Sequence, residues 1–355
     1  MKKFLQKLSA AINNSSLPQK IAIVAAGILY FAVLLFSLLF DKNLAIGVLF
    51  ISFLTIALFS IIWSTGIKIK TLLVLFLLVL CLHIATSVIF NYTKFQPFGG
   101  GYSDASTYDA EGMMVSNGLK SGKIHLREII FNNPSFPIAN YFSAFVGIIY
   151  FLTAPAAIIG KLVNAWLVAL SSIFLFLTVL ELKASKKSAF LVGLISGIYP
   201  SYILYSSMLL KDTLFACLMT AGLLLSIKLI KNFSWSNFSF LYIILVVATS
   251  IRFYIAYALL FSFIICWFLF AELKINKKII YGIILIILLG FVPDLGLNQG
   301  FYGADTFKFY MNKNMITFFR EDAYSYAFNA KAIVPVPSSA PTPAPTPEVV
   351  AQGNI

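Results

Sequence analysis

The sequence predicts an all-α polytopic membrane protein of about nine transmembrane helices, with a large first extracytoplasmic loop that contains short helices. Three observations lead there. Of 355 residues 60% are hydrophobic and only 11% charged, whereas soluble proteins run at about half apolar and about a quarter charged. The mean hydropathy is +0.92. The basic residues behind the net charge of +13 fall in short clusters between apolar runs, as the positive-inside rule expects. That placement argues against nucleic acid as a partner, since no basic groove with interleaved aromatics is present. Membrane lipids are the expected surroundings.

Residues 1–20 carry Lys2, Lys3, Lys7 and Lys20 with no acid and read as a cytoplasmic basic leader. The following apolar run is too long for a signal peptide and shows no small-residue cleavage site. Residues 21–294 form the expected transmembrane domain. Spans are expected at Ile21–Phe40, Leu44–Thr65 and Thr71–Phe90, with Asp41-Lys42-Asn43 turning outside and Lys68 and Lys70 inside. An extracytoplasmic loop follows over 91–138, then a short aromatic piece at about 139–153, interfacial or re-entrant. The span Ala156–Leu180 runs into the basic cluster at 181–187. Further crossings are expected at Ser188–Tyr205, Thr213–Ile230, Phe238–Ile251, Phe253–Phe270 and Ile279–Val292, with lysines marking the inner ends. The N-terminus then lies in the cytoplasm and the C-terminus outside. Residues 295–333 read as an extracytoplasmic segment. Residues 334–355 form a Pro/Ala/Thr-rich tail that cannot pack a core.

The 13 acids are placed unevenly, mostly on the outer side. Ionisable groups at membrane level cost desolvation and are usually paired or functional. In the loop, Asp104, Tyr108 and Glu111 share a helical face at i, i+4 and i+7, with Asp109 nearby. Asp104 at a helix start has two readings. It caps a surface helix, or it is an ionised base able to take a proton from a hydroxyl nucleophile. Lys211-Asp212, after Pro200, opens a returning helix: an interfacial snorkel and N-cap, or a charged pair facing a substrate. Arg252, with Tyr254 and Tyr257, sits at an outer span end, as an interface anchor or as a bidentate phosphate ligand. His83 reads as a hydrogen-bonded core residue. It and His125 give no metal-ligand spacing, and no metal or cofactor is expected. Cys81, Cys217 and Cys266 lie far apart in apolar segments and read as small core- or lipid-facing residues. No phosphate-binding glycine loop or dinucleotide fingerprint is present.

Ser103-Asp104-Ala105-Ser106-Thr107-Tyr108 with Gly118 and Gly122, then Asn140-Tyr141-Phe142 through Leu152 followed by Lys161-Leu162-Val163-Asn164, and Ile198-Tyr199-Pro200-Ser201 through Asp212-Thr213-Leu214 occur in a particular order. Together they resemble bacterial polytopic glycosyltransferases of the C superfold, including the protein-mannosyltransferase-like group (family 39) and the aminoarabinose transferases. The resemblance covers about Phe90 to Val292. It implies transfer of a sugar from a polyprenyl-phosphate-linked donor to a glycan, lipid or protein acceptor, on the outer face of a bacterial plasma membrane. It further implies Asp104 as base, with Lys211, Asp212 and Arg252 at the substrate and Tyr108 and Tyr254 lining the site. Relatives often carry two adjacent acids in this loop; here the next are Asp109 and Glu111, so either is an alternative base. The chain stops where many relatives continue, so a shortened or inactive member is also implied. The competing classes are a polysaccharide polymerase, a flippase or transporter of lipid-linked glycans, and a non-catalytic assembly protein. A transporter favours polar groups at mid-membrane and broken helices, which the sequence does not display clearly.

Overall fold

The computed structural model describes residues 34–64, 69–93, 104–125 and 141–290, together with Asn312 and Thr317. The basic leader, most of the first expected span, the glycine-rich start of the loop and the tail lie outside the described residues. Among those described there are helices and no strand. Apolar chain in a bilayer must satisfy its backbone internally, which helices do within a single segment.

After a helical stretch at 34–40, the helices are α1 (Lys42–Ser64), α2 (Ile69–Tyr92), α3 (Asp104–Lys120), α4 (Tyr141–Leu152), α5 (Ala157–Glu181), α6 (Lys186–Gly197), α7 (Pro200–Ser206), α8 (Lys211–Lys231), α9 (Trp235–Phe270) and α10 (Ile275–Leu288). Five stretches are long and apolar enough to cross a membrane: Lys42–Trp63, Ile69–Tyr92, Ala157–Glu181, Lys211–Lys231 and Trp235–Arg252. The pair α6 and α7 makes a sixth if counted as one bent span. These features are compatible with a multi-pass membrane protein. So is the surface, where Phe53, Ile56 and Ile61 of α1 are each more than 60% exposed; contiguous apolar surface of this kind suits lipid rather than water.

Helix α5 is the hub. It packs against α1, α2, α6 and α8, and its inward side chains, among them Ile159, Leu162, Val168 and Ile173, are buried. Helix α4 has 12 residues, too short to cross a hydrocarbon core of ~30 Å. It packs closely on α3, because Gly112 and Gly147 bring the two backbones together. A Cβ on Gly147 would stand 3.1 Å from the Gly112 carbonyl oxygen and 2.4 Å from the Val115 side chain.

Two expected spans depart from straight helices. Ser188–Tyr205 is instead broken between Gly197 and Pro200, and its halves are bent by 53°. Proline lacks the amide hydrogen that would continue the ladder and its ring disfavours helix before it. The break is held from α2. One ring nitrogen of His83 lies 2.7 Å from the Gly197 carbonyl oxygen, and Nδ1 lies 2.5 Å from the Ser206 hydroxyl. His83 is thus the hydrogen-bonded core residue expected, with partners on both halves of the bent pair.

The second departure is α9. Arg252 has extended backbone angles (φ −147°, ψ 83°) inside an otherwise helical run, and there the chain reverses. The rings of Phe233 and Trp267, which flank opposite ends of α9, are 6.1 Å apart. The Glu272 amide donates to the Ile230 carbonyl at 3.4 Å. Phe238, Leu241 and Leu245 of the outgoing arm pack with Tyr257, Leu260, Phe263 and Trp267 of the return arm. Arg252 is therefore the apex of a helical hairpin, and the return arm, Tyr254–Phe270, is a shorter apolar helix.

This antiparallel arrangement sorts charge by end. At one end Glu181 pairs with Lys231 at 3.8 Å, near the lysines of the α5–α6 and α9–α10 links. At the other end lie Asp41, Asn91, Lys161, the start of α3, the start of α8 and the hairpin apex, joined by side-chain contacts.

Candidate functional site

The second end carries the candidate site. Asp104 is the first residue of α3, where the positive end of the helix dipole favours a carboxylate. One turn on, the Tyr108 hydroxyl donates to Asp104 Oδ2 at 3.3 Å. Tyr108 is only 3% exposed, wedged edge-on against Phe142 of α4 at 5.1 Å. Over its ring lies the Lys211 ammonium, 5.8 Å from the centroid, a cation–π distance. The structure thus gives Tyr108 a buried positioning place between Asp104 and Lys211, rather than an open wall.

Lys211 and Asp212 begin α8. Asp212 accepts an ion-paired hydrogen bond from Arg252 Nη2, while Arg252 Nη1 donates to the Tyr254 hydroxyl at 2.7 Å. Arg252 Nε is buried without a hydrogen-bond partner among the described residues, while the side chain as a whole is 29% exposed. Tyr254 itself is 52% exposed. Three stretches distant in sequence therefore meet through Asp104–Tyr108–Lys211 and Asp212–Arg252–Tyr254, with the Lys211–Asp212 peptide joining the two halves.

The other loop acids turn toward α4. Glu111 accepts a hydrogen bond from the Ser143 hydroxyl. Asp109 accepts one from the Tyr150 hydroxyl at 2.5 Å. Burial, and then the charge and hydrogen bond of Asp109, push the Tyr150 phenol above its ordinary range, so it stays a donor at neutral pH. Lys161 is an electrostatic neighbour of Asp109 and donates to Asn91 Oδ1 at 3.0 Å. Both carboxylates are engaged by hydroxyls, whereas Asp104 is exposed and, among the described residues, meets the long tyrosine contact at 3.3 Å. Among the described residues no group of three His, Cys, Asp or Glu side chains could hold a metal. The three cysteines are free.

Two features escaped sequence reasoning. Asp41 accepts from the Tyr92 hydroxyl at 2.6 Å and from the Asn43 amide at 2.8 Å. More important, Asn164 of α5 donates to the carbonyls of Met208 and Leu210, at 2.9 and 3.2 Å. These are the buried, non-helical residues that deliver Lys211 and Asp212 to the site. The only sequence signal was an asparagine inside an apolar span, where polar groups are costly and need partners. Asn164→Leu removes both donors. It is expected to cost about 1–3 kcal/mol, read as earlier thermal unfolding of the purified protein.

No family model matches the chain, and no curated protein or solved structure matches it.

Proposed function

We propose that the chain is a bacterial membrane glycosyltransferase, similar to the C-superfold enzymes, that moves a sugar from a polyprenyl-phosphate carrier to a glycan, lipid or protein acceptor. In this reading about nine spans cross the plasma membrane. The lysine-rich end faces the cytoplasm by the positive-inside rule, and Asp104, Lys211 and Arg252 face outward. The carrying observation is the gathering of one exposed carboxylate and two cations, from three separate stretches, at the end opposite the lysine clusters.

The chemistry follows from those groups. The acceptor hydroxyl oxygen attacks the anomeric carbon as Asp104 takes its proton. The bond from that carbon to the phosphate oxygen breaks, and its electron pair leaves with the phosphate. The anomeric centre inverts. The departing polyprenyl phosphate gains charge, which Lys211 and the solvent-facing part of the Arg252 guanidinium stabilise; Asp212 holds Arg252 in place. The test is release of free polyprenyl phosphate from a labelled polyprenyl-phosphate sugar by the purified full chain. Acceptor-dependent release is expected. A donor left intact across a panel of glycan, lipid and peptide acceptors would overturn the reading.

One observation favours a second reading, a flippase or transporter of lipid-linked glycans. It is the broken pair α6–α7 with the buried His83 beside it, a combination transporters use. That reading expects carrier movement across a sealed vesicle membrane with the sugar–phosphate bond unbroken.

A further inference from the structure

We propose that His83, inside α2, is a positioning residue for the candidate site: through Ser206 it seats the buried segment that carries Lys211 and Asp212. Its effect on rate rests on the transferase reading; its effect on geometry does not. His83 is fully buried. Its two ring nitrogens reach both halves of the bent pair, Gly197 at the end of α6 and Ser206 at the end of α7. The Gly197 carbonyl can only accept, so Nε2 carries the ring proton. A buried imidazole that belongs to no ion pair among the described residues is neutral, so Nδ1 is the acceptor. The Ser206 hydroxyl then donates to it at 2.5 Å rather than to the Ile203 carbonyl at 3.2 Å. A rigid ring keeps its nitrogens at a fixed separation, and so fixes the spacing of the two helix ends.

Ser206 opens a run of buried residues, 206–210, that ends where α8 starts. Two helices cradle this run. On α2, Thr86 follows His83 by one turn and accepts from the Ser207 hydroxyl at 2.9 Å. On α5, Asn164 holds the Met208 and Leu210 carbonyls. Gly160, one turn before Asn164, leaves the space that Leu209 fills, since a Cβ there would stand 2.4 Å from Leu209 Cδ1. Lys211 is the next residue of the chain. A displacement of Ser206 is therefore passed to the Lys211 ammonium, 5.8 Å from the Tyr108 ring centroid, and to Asp212, which pairs with Arg252. Displacements of about 1 Å, caused far from the chemistry, can cost about 10²-fold in rate. His83 acts through this segment and not on the substrate.

The test compares His83→Asn with His83→Gln in the purified full chain, by hydrogen–deuterium exchange and by release of polyprenyl phosphate from a labelled donor. An asparagine amide stands where Nδ1 stands and keeps Ser206; a glutamine amide reaches the Gly197 carbonyl instead. His83→Gln should exchange about 5- to 10-fold faster over residues 206–213, the effect of one lost hydrogen bond. Its kcat should fall about 10²-fold with little change in KM for the donor. His83→Asn should stay close to the native chain in both readouts. Ser206→Ala removes the same bond from its other side and should reproduce His83→Gln, should that variant not purify. Equal exchange over 206–213 in all forms overturns the proposal. So does earlier unfolding of every variant with the rate per folded molecule unchanged. If the native chain releases no polyprenyl phosphate, the transferase reading fails, and the contrast in exchange between the two His83 variants alone decides whether His83 seats the segment.

Discussion

Asp104→Asn is expected to lower sugar transfer by about 10²–10⁴-fold, the usual contribution of a general base, while the protein still inserts and purifies normally. Asparagine keeps the size of the side chain and an oxygen that can accept from the Tyr108 hydroxyl, now at 3.3 Å. The start of α3 and the Tyr108–Phe142–Lys211 stack therefore survive. Only the proton acceptor is lost. The comparison variant is Asp109→Asn. Asp109 serves Tyr150, so its replacement should disturb the packing of α3 on α4 more than the chemistry. Unchanged phosphate release from Asp104→Asn, measured beside a crippled Asp109→Asn, would move the base to Asp109. Carrier movement that persists in Asp104→Asn without any release would favour the transporter reading.

Arg252→Gln should reduce transfer about 10²–10³-fold, as loss of a charge-stabilising donor typically does, with a much smaller effect on stability. The reason is exposure. The side chains of Arg252 and Asp212 are 29% and 32% exposed, and ion pairs this open to solvent contribute about 1 kcal/mol or less. Arg252→Lys is the informative partner. A single ammonium can replace the contact to Asp212 but cannot reach Tyr254 at the same time, and it lacks the planar fork of donors that suits phosphate. Intermediate transfer is expected. If both variants transfer normally but unfold earlier, Arg252 is an anchor of the hairpin and nothing more.

The helical class and the sorting of charge between two ends were legible because they follow from bulk hydropathy and lysine placement, which need no tertiary contact. The importance of Asp104, Lys211, Asp212 and Arg252 as a set was legible only as acids and bases unusual for their setting. Their distances were not, since α3, α8 and the α9 apex are brought together by buried groups such as Asn164 and Phe142. The reversal at Arg252 was anticipated as a boundary between two crossings. Pro200 was legible as the end of the exiting helix; the helix that resumes from it at 53° was not, because its hold comes from His83, more than a hundred residues earlier. The family resemblance made Tyr108 part of the site's lining; its burial makes it a strut. Asp109 and Glu111 were indistinguishable from Asp104 by type alone, and their hydroxyl partners on α4 separate them.

The helices on the hairpin side are short. The return arm has 17 residues between Tyr254 and Phe270, about 26 Å of helix, and α10 has 14, about 21 Å. A typical hydrocarbon core is ~30 Å thick. A bilayer along this flank would meet them by thinning, or flanking residues would snorkel to the headgroups. On the transferase reading proposed above, a head group carried on a long isoprenoid would approach the apex at Arg252 along this side, and membrane thickness would then control how readily the protein is loaded.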